Sequence, residues 1–138
     1  MFNHPTDTEL AKVPRLYETE NVPAKDKVIH MHFFLASSDW FIVEFDGDDI
    51  FFGFACLNGW TDLAEWGYIS FKELKELRVK QPIGIDGQKM LIPLEVDRDL
   101  HWEPRKASEV PLIVECGGDT FITVSDVGLK YENCGCVL

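Results

Sequence analysis

The amino-acid sequence predicts an α+β fold, a mainly antiparallel sheet with one or two short helices. Three observations lead there. Runs of β-branched and aromatic residues recur between residues 26 and 71, separated by turn-forming residues. Asp-Gly pairs at 46–47 and 86–87 interrupt β-patterned runs, the usual signature of a tight hairpin. Helical apolar spacing is pronounced in one short stretch, residues 71–78.

Taken in order, DKVIHMHFFL (26–35) alternates and reads as a first strand. DWFIVEF (39–45) reads as a second, with Phe41, Val43 and Phe45 on one face and Trp40, Ile42 and Glu44 on the other. DIFFGFACL (49–57) is apolar almost throughout, which implies burial on both faces. Gly53 within it marks a bulge or a close approach. EWGYISF (65–71) is a fourth strand. Ser70 and Glu73 have the spacing of a capping box, and Phe71, Leu74 and Leu77 give the stripe of a helix over 71–78. PIGIDGQKMLIPLEV (82–96) reads as a hairpin around Asp86-Gly87 and continues extended to Pro104. A brief helix opens at Ser108 and is limited by Pro111. DTFITVSD (119–126) is a last strand. The expected core includes Phe33, Phe41, Val43, Phe45, Phe52, Phe54, Leu74 and Leu77.

A chain of 138 residues is most simply one domain, 1–138, and an apolar share of 46% is enough for a core. No run has the 18 or so apolar residues of a membrane span. The N-terminus has no basic segment leading into an apolar one, so the expected location is the cytoplasm, where the four cysteines stay reduced. The terminal CGCVL has Gly135 where a prenylation box needs cysteine.

The stretch EFDGDD packs four carboxylates into six positions and poses the question of a cation site. Counted from Asp46, an EF-hand loop would need an acid at Ile50 and glycine at Phe51, so that reading fails. A hairpin turn, with Gly47 supplying the positive φ, accounts for it. His30 and His32 sit two apart on one strand and, with Glu44 alongside, form the alternative metal set for zinc or iron. The plainer reading is a pair of surface or interface histidines, because a convincing third ligand is missing. Cys116, Cys134 and Cys136 with His101 lack the paired knuckles of structural zinc sites. No phosphate-binding glycine loop, nucleophile elbow or HExxH helix occurs, so no catalytic residue is assigned and no cofactor is implied.

Charge is the strongest global feature. The net charge is −11, which opposes direct binding to nucleic acid or anionic lipid. Between Val28 and Phe71 there is no Lys or Arg, against seven acids: Asp39, Glu44, Asp46, Asp48, Asp49, Asp62 and Glu65. Soluble surfaces usually mix their signs, so this run should create a local negative field. Asp46, Asp48, Asp49, Asp62 and Glu65 are the candidate partner-binding face, on the expectation that their two loops lie at neighbouring edges.

The strings LYETENVPAKDKVIHMHFF, DWFIVEFDGDDIFFGFACLNG, AEWGYISFKELKEL and VDRDLHWEPRKASEV, spread over residues 16–110, carry a resemblance. That region resembles an uncharacterised bacterial family, domain of unknown function 2958. KQPIGIDGQKMLIP looks like an insert in it, and residues 111–138 form a C-terminal extension beyond it. The resemblance implies small cytosolic proteins of plasmids, phages and integrative elements, often among conjugation and antirestriction genes, and no known active site. Two functions follow as expectations. One is a non-enzymatic acidic accessory protein of a mobile genetic element. Its partner would be a basic host or defence protein such as a nucleic-acid-binding enzyme, met in the manner of antirestriction or anti-CRISPR proteins. The alternative is a metal-dependent or small-ligand-binding protein using His30 and His32. Plain solubility is the competing account of the acidity.

Overall fold

A computed structural model describes residues 1–120, apart from the side chains of Ile83 and Ile85. Its centre is a five-stranded antiparallel sheet in the order β5-β4-β3-β2-β8. The strands are β2 (Met31–Leu35), β3 (Ser38–Phe45), β4 (Ile50–Cys56), β5 (Glu65–Ser70) and β8 (Asp97–Arg98). Strand β1 (Val28–Ile29) pairs separately with β9 (Arg105–Lys106), and β6 (Arg78–Ile85) pairs with β7 (Gln88–Glu95). Three short helices complete the fold among the described residues: α1 (Asp7–Ala11), α2 (Phe71–Glu76) and α3 (Pro111–Glu115). The α+β architecture is therefore as the sequence predicts.

Both faces of the sheet are covered, and each carries its own apolar core. One contains Phe33, Trp40, Ile42, Phe45, Phe51, Ile69, Phe71 and Leu74, closed by Leu10 of α1 and by Val96. The other contains Phe41, Val43, Phe52, Phe54 and Trp66, closed by Ile29, Ala107, Val110 and Ile113. Of the expected core, Leu77 alone is only partly buried; the other seven are fully inside.

The expected facing of β3 changes partway along the strand. Ile42 pairs with Gly53 but Glu44 pairs with Phe52, so β3 carries one extra residue, a β-bulge. Beyond it the alternation is reset, and Phe45 joins Trp40 and Ile42 instead of Phe41 and Val43. Gly53 lies against this bulge. A Cβ there would stand 2.0 Å from the Phe41 carbonyl oxygen, so the close approach requires glycine.

Several boundaries shift for identifiable reasons. The first strand divides at His30, because β1 pairs with β9 while β2 pairs with β3 and β8. Helix α2 stops at Glu76, and Arg78 already opens β6. The Ser108 segment is a 3-10 turn, Ala107–Glu109, and Pro111 starts α3 rather than ending a helix. Proline is tolerated there because a first-turn N–H needs no intrahelical partner. The 3-10 turn Gly118–Thr120 takes the beginning of the expected 119–126 strand; the remainder lies outside the described residues. No helix among the described residues is long and apolar enough to cross a membrane.

Candidate functional site

The acidic stretch at 44–49 resolves into residues with different duties. Gly47 has a φ of 93°, and the Asp46 carboxylate accepts from the N–H groups of Asp48, Asp49 and Ile50 at 2.8, 2.8 and 3.0 Å. This is a closed turn. These backbone bonds and the nearby Arg15 hold the Asp46 carboxyl below its ordinary range, against the opposing effect of burial. Asp49 caps α2 from just before the neighbouring strand, β4. Its carboxylate accepts from Ser70 Oγ and from the Lys72 N–H at 2.7 Å, and its carbonyl accepts from Phe71 N–H at 2.8 Å. Ser70 also accepts from Glu73 N–H at 3.2 Å, so the Ser70 half of the expected capping box forms while Asp49 supplies the second carboxylate.

Glu44 is buried, at 4% exposure, and has a structural role. Its Oε1 accepts from Tyr17 N–H at 2.9 Å, and its Oε2 accepts from Thr19 N–H at 3.0 Å and from the Thr19 hydroxyl. Lys27, 1% exposed, donates to the Thr19 carbonyl, and burial pulls its ammonium below the ordinary lysine range, opposed by Glu44 and Glu20. Beside them Tyr68 donates to the Tyr17 hydroxyl at 3.2 Å, and burial pushes its phenol up to about 12. This polar cluster pins residues 15–22 over the second core. Sequence reasoning missed it because its members come from four separated segments.

The alternative metal set does not assemble. Glu44 spends both oxygens on residues 17 and 19, and His32 is held elsewhere. Its Nε2 lies 2.7 Å from Asp39 Oδ1 and its Nδ1 3.3 Å from Asp99 Oδ2, with the ring stacked on Phe41. Among the described residues no group of three His, Cys, Asp or Glu is placed to hold a metal ion. His30 is half-buried, and burial holds its ring below the ordinary histidine range. Cys116 sits beside Cys56; burial pushes the Cys116 thiol up to about 11, and Cys56 is raised as well. Cys134 and Cys136 lie outside the described residues.

The five acids of the candidate face do not share one edge. In the β4–β5 ladder Ile50 pairs with Ser70 and Ala55 with Glu65, which puts the 46–49 turn at one end and Asp62 and Glu65 at the other. Five residues of strand separate them by roughly 17 Å. The 46–49 turn is also not free of bases, because Arg15 lies over Gly47 and Arg15 and Lys75 line the adjoining cleft. Exposed Asp48 faces that cleft. At the far end Asp62 is exposed and Glu65 half-buried, neither with a side-chain partner among the described residues. The same β4–β5 connection exposes Trp60 (59%) and Leu63 (69%). No protein-family model, curated protein or solved structure matches this chain.

Proposed function

We propose that the protein is a non-enzymatic, acidic binding protein that docks a basic protein surface through the β4–β5 connection. The observation that carries this reading is the exposure of Trp60 and Leu63 on either side of the unpartnered Asp62, next to Glu65. Acids kept only for solubility need no large apolar neighbours. An exposed tryptophan on the same connection as two acids supplies instead the two parts of a protein interface: an anchor for affinity and charge for orientation and rate. Asp48, at the other end of the sheet, adds to the long-range field without belonging to the contact. A partner that normally grips nucleic acid would fit, since carboxylates stand in for phosphates in a basic groove. With the resemblance over residues 16–110, that chemistry favours a cytoplasmic accessory protein of a mobile genetic element, acting on a host or defence enzyme of the antirestriction or anti-CRISPR kind.

The test is a pull-down from bacterial lysate at low and high salt, using the full chain and two variants. Asp62→Asn/Glu65→Gln and Trp60→Ala should each fold as the parent does, because Asp62 and Trp60 are exposed and the half-buried Glu65 has no side-chain partner among the described residues to lose. Both should lose the partner. Capture by the parent should fade as the screening length falls from about 10 Å at 0.1 M salt to about 3 Å at 1 M. Asp49 is left unaltered, since its amide would weaken the cap of α2. A partner held equally by the parent and both variants at low salt would reduce the acidity to solubility.

A further inference from the structure

Away from the acidic surface, a cleft of about 180 Å³ opens between α1, the start of β2 and the turn after β8. That is the space of roughly six waters. Its lining is mixed, with an apolar side made by Met31, Trp102 and the 58% exposed Leu100 and a polar side made by charged groups. Its polar groups divide unevenly. The acids Glu9 and Asp99 are already engaged: Glu9 accepts from Thr6 N–H at 3.0 Å and from Arg98 Nη1 at 2.6 Å, and Asp99 meets His32 and the His101 N–H. The donors are not. Arg98 is only 13% exposed, yet its Nε is buried with no acceptor, and its Nη2 makes no bond among the described residues. Exposed Lys12 and the ring of His30 line the same cleft without a side-chain partner among the described residues.

We propose that this cleft binds a small monocarboxylate with a compact apolar body, its carboxylate paired with the Nε–Nη2 edge of Arg98. A guanidinium edge presents two parallel N–H groups at the spacing of two carboxylate oxygens, and a buried donor without an acceptor is costly to leave so. Glu9 holds Nη1 and so restrains the guanidinium, which reduces the side-chain freedom lost on binding. Lys12 reinforces the attraction from the rim. The nearby carboxylates of Glu9 and Asp99 penalise a doubly charged phosphate more than a monoanion. The apolar body lies on Met31, Trp102 and Leu100, shielding exposed apolar surface from water. Nε is closed to solvent in the empty cleft, so its bond forms as the ligand seats and the rim side chains move aside.

The experiment is an NMR titration of the full chain with phenylacetate, with isovalerate and with inorganic phosphate. Either carboxylate should give saturable shifts at the Arg98 Nε–H and the Trp102 indole N–H, with Kd near 1 mM, and phosphate should bind at least about tenfold more weakly. Arg98→Lys keeps a charge for Glu9 but loses the fork, and should weaken binding about tenfold or more. Lys12→Gln leaves the Glu9–Arg98 pair intact and should weaken it a few-fold, which keeps the test decisive if Arg98→Lys fails to fold. Absence of saturable shifts with both carboxylates, shifts mapping elsewhere, phosphate binding as tightly, or parental affinity in a folded Arg98→Lys variant would each overturn the assignment.

Discussion

Gly53 shows how one residue sets the geometry on which both cores depend. The bulge between Ile42 and Glu44 turns Val43 toward one core and Phe45 toward the other, and it draws the Phe41 carbonyl against Gly53. Because the obstructing atom is backbone, Gly53→Ala cannot be relieved by a rotamer change. It should cost about 3 kcal/mol or more. Gly84→Ala, on an exposed strand with nothing near the new methyl, should change stability by less than about 0.5 kcal/mol. Urea unfolding of the two variants checks the contrast, and equal midpoints would mean that the bulge does not constrain Gly53. Residues whose roles are local were legible in the sequence. The Asp46-Gly47 turn completes within four positions, and Gly53 stood out in an apolar strand. The Asp46 carboxylate, expected in the partner-binding face, closes the turn instead. Glu44 was not legible, since the N–H groups that define it lie 25 and 27 residues upstream. Asp49 looked like a free surface acid for the same reason; its cap is formed 21 to 23 residues away.

At the scale of elements, β6 and β7 form a two-stranded ribbon that, among the described residues, pairs with no other strand. Asp86 and Gly87 have φ values of 51° and 79°, the paired positive angles of a type I′ turn. Leu77, just before the ribbon, and Leu94 near its end pack on the first core, whereas Met90 and Leu91 are more than half exposed. An isolated hairpin is marginally stable in water, so the outer ribbon adds little to the fold. Removing residues 82–91 and joining Gln81 to Ile92 through Asn-Gly should keep the register and move the unfolding free energy by less than about 1 kcal/mol. A larger loss, read by urea unfolding, would give the outer ribbon a structural role. The hairpin was legible from Asp86-Gly87, but its separation from the main sheet was not, because local patterning does not say which strands pair. The same limit hid the break at His30. Helix α1 carries a Thr6–Glu9 capping box in the sequence, yet at five residues it has too little periodicity to be recognised by spacing.

Across the whole molecule, residues 111–118 complete the second core: Ile113 is fully buried, Trp66 donates to the Gly118 carbonyl at 2.8 Å, and Cys116 meets Cys56 of β4. That packing ties stability to alkaline pH. Burial, together with Cys56, raises the Cys116 thiol from 9.0 to about 11, so the folded chain binds this proton more tightly than the unfolded chain does. Below pH 9.0 both states are protonated and the contribution is complete. Between 9.0 and about 11 the unfolded thiol ionises first, so stability falls as pH rises, and above about 11 the contribution is gone. Tyr68 acts with the same sign at higher pH, between 10.0 and about 12. Lys27 acts with the opposite sign: its ammonium is lowered from 10.5, so the unfolded chain holds more protons just below that value and stability there rises with pH. Thiol and lysine can therefore be separated by substitution. With reductant present, the parent's urea midpoint should fall between pH 9.0 and about 11. Cys116→Ala should show a shallower fall, and Lys27→Met a steeper one, once each variant is referenced to its own midpoint at pH 9.0. Identical slopes in the parent and Cys116→Ala would show that this thiol is not held protonated by the packing of α3 against β4.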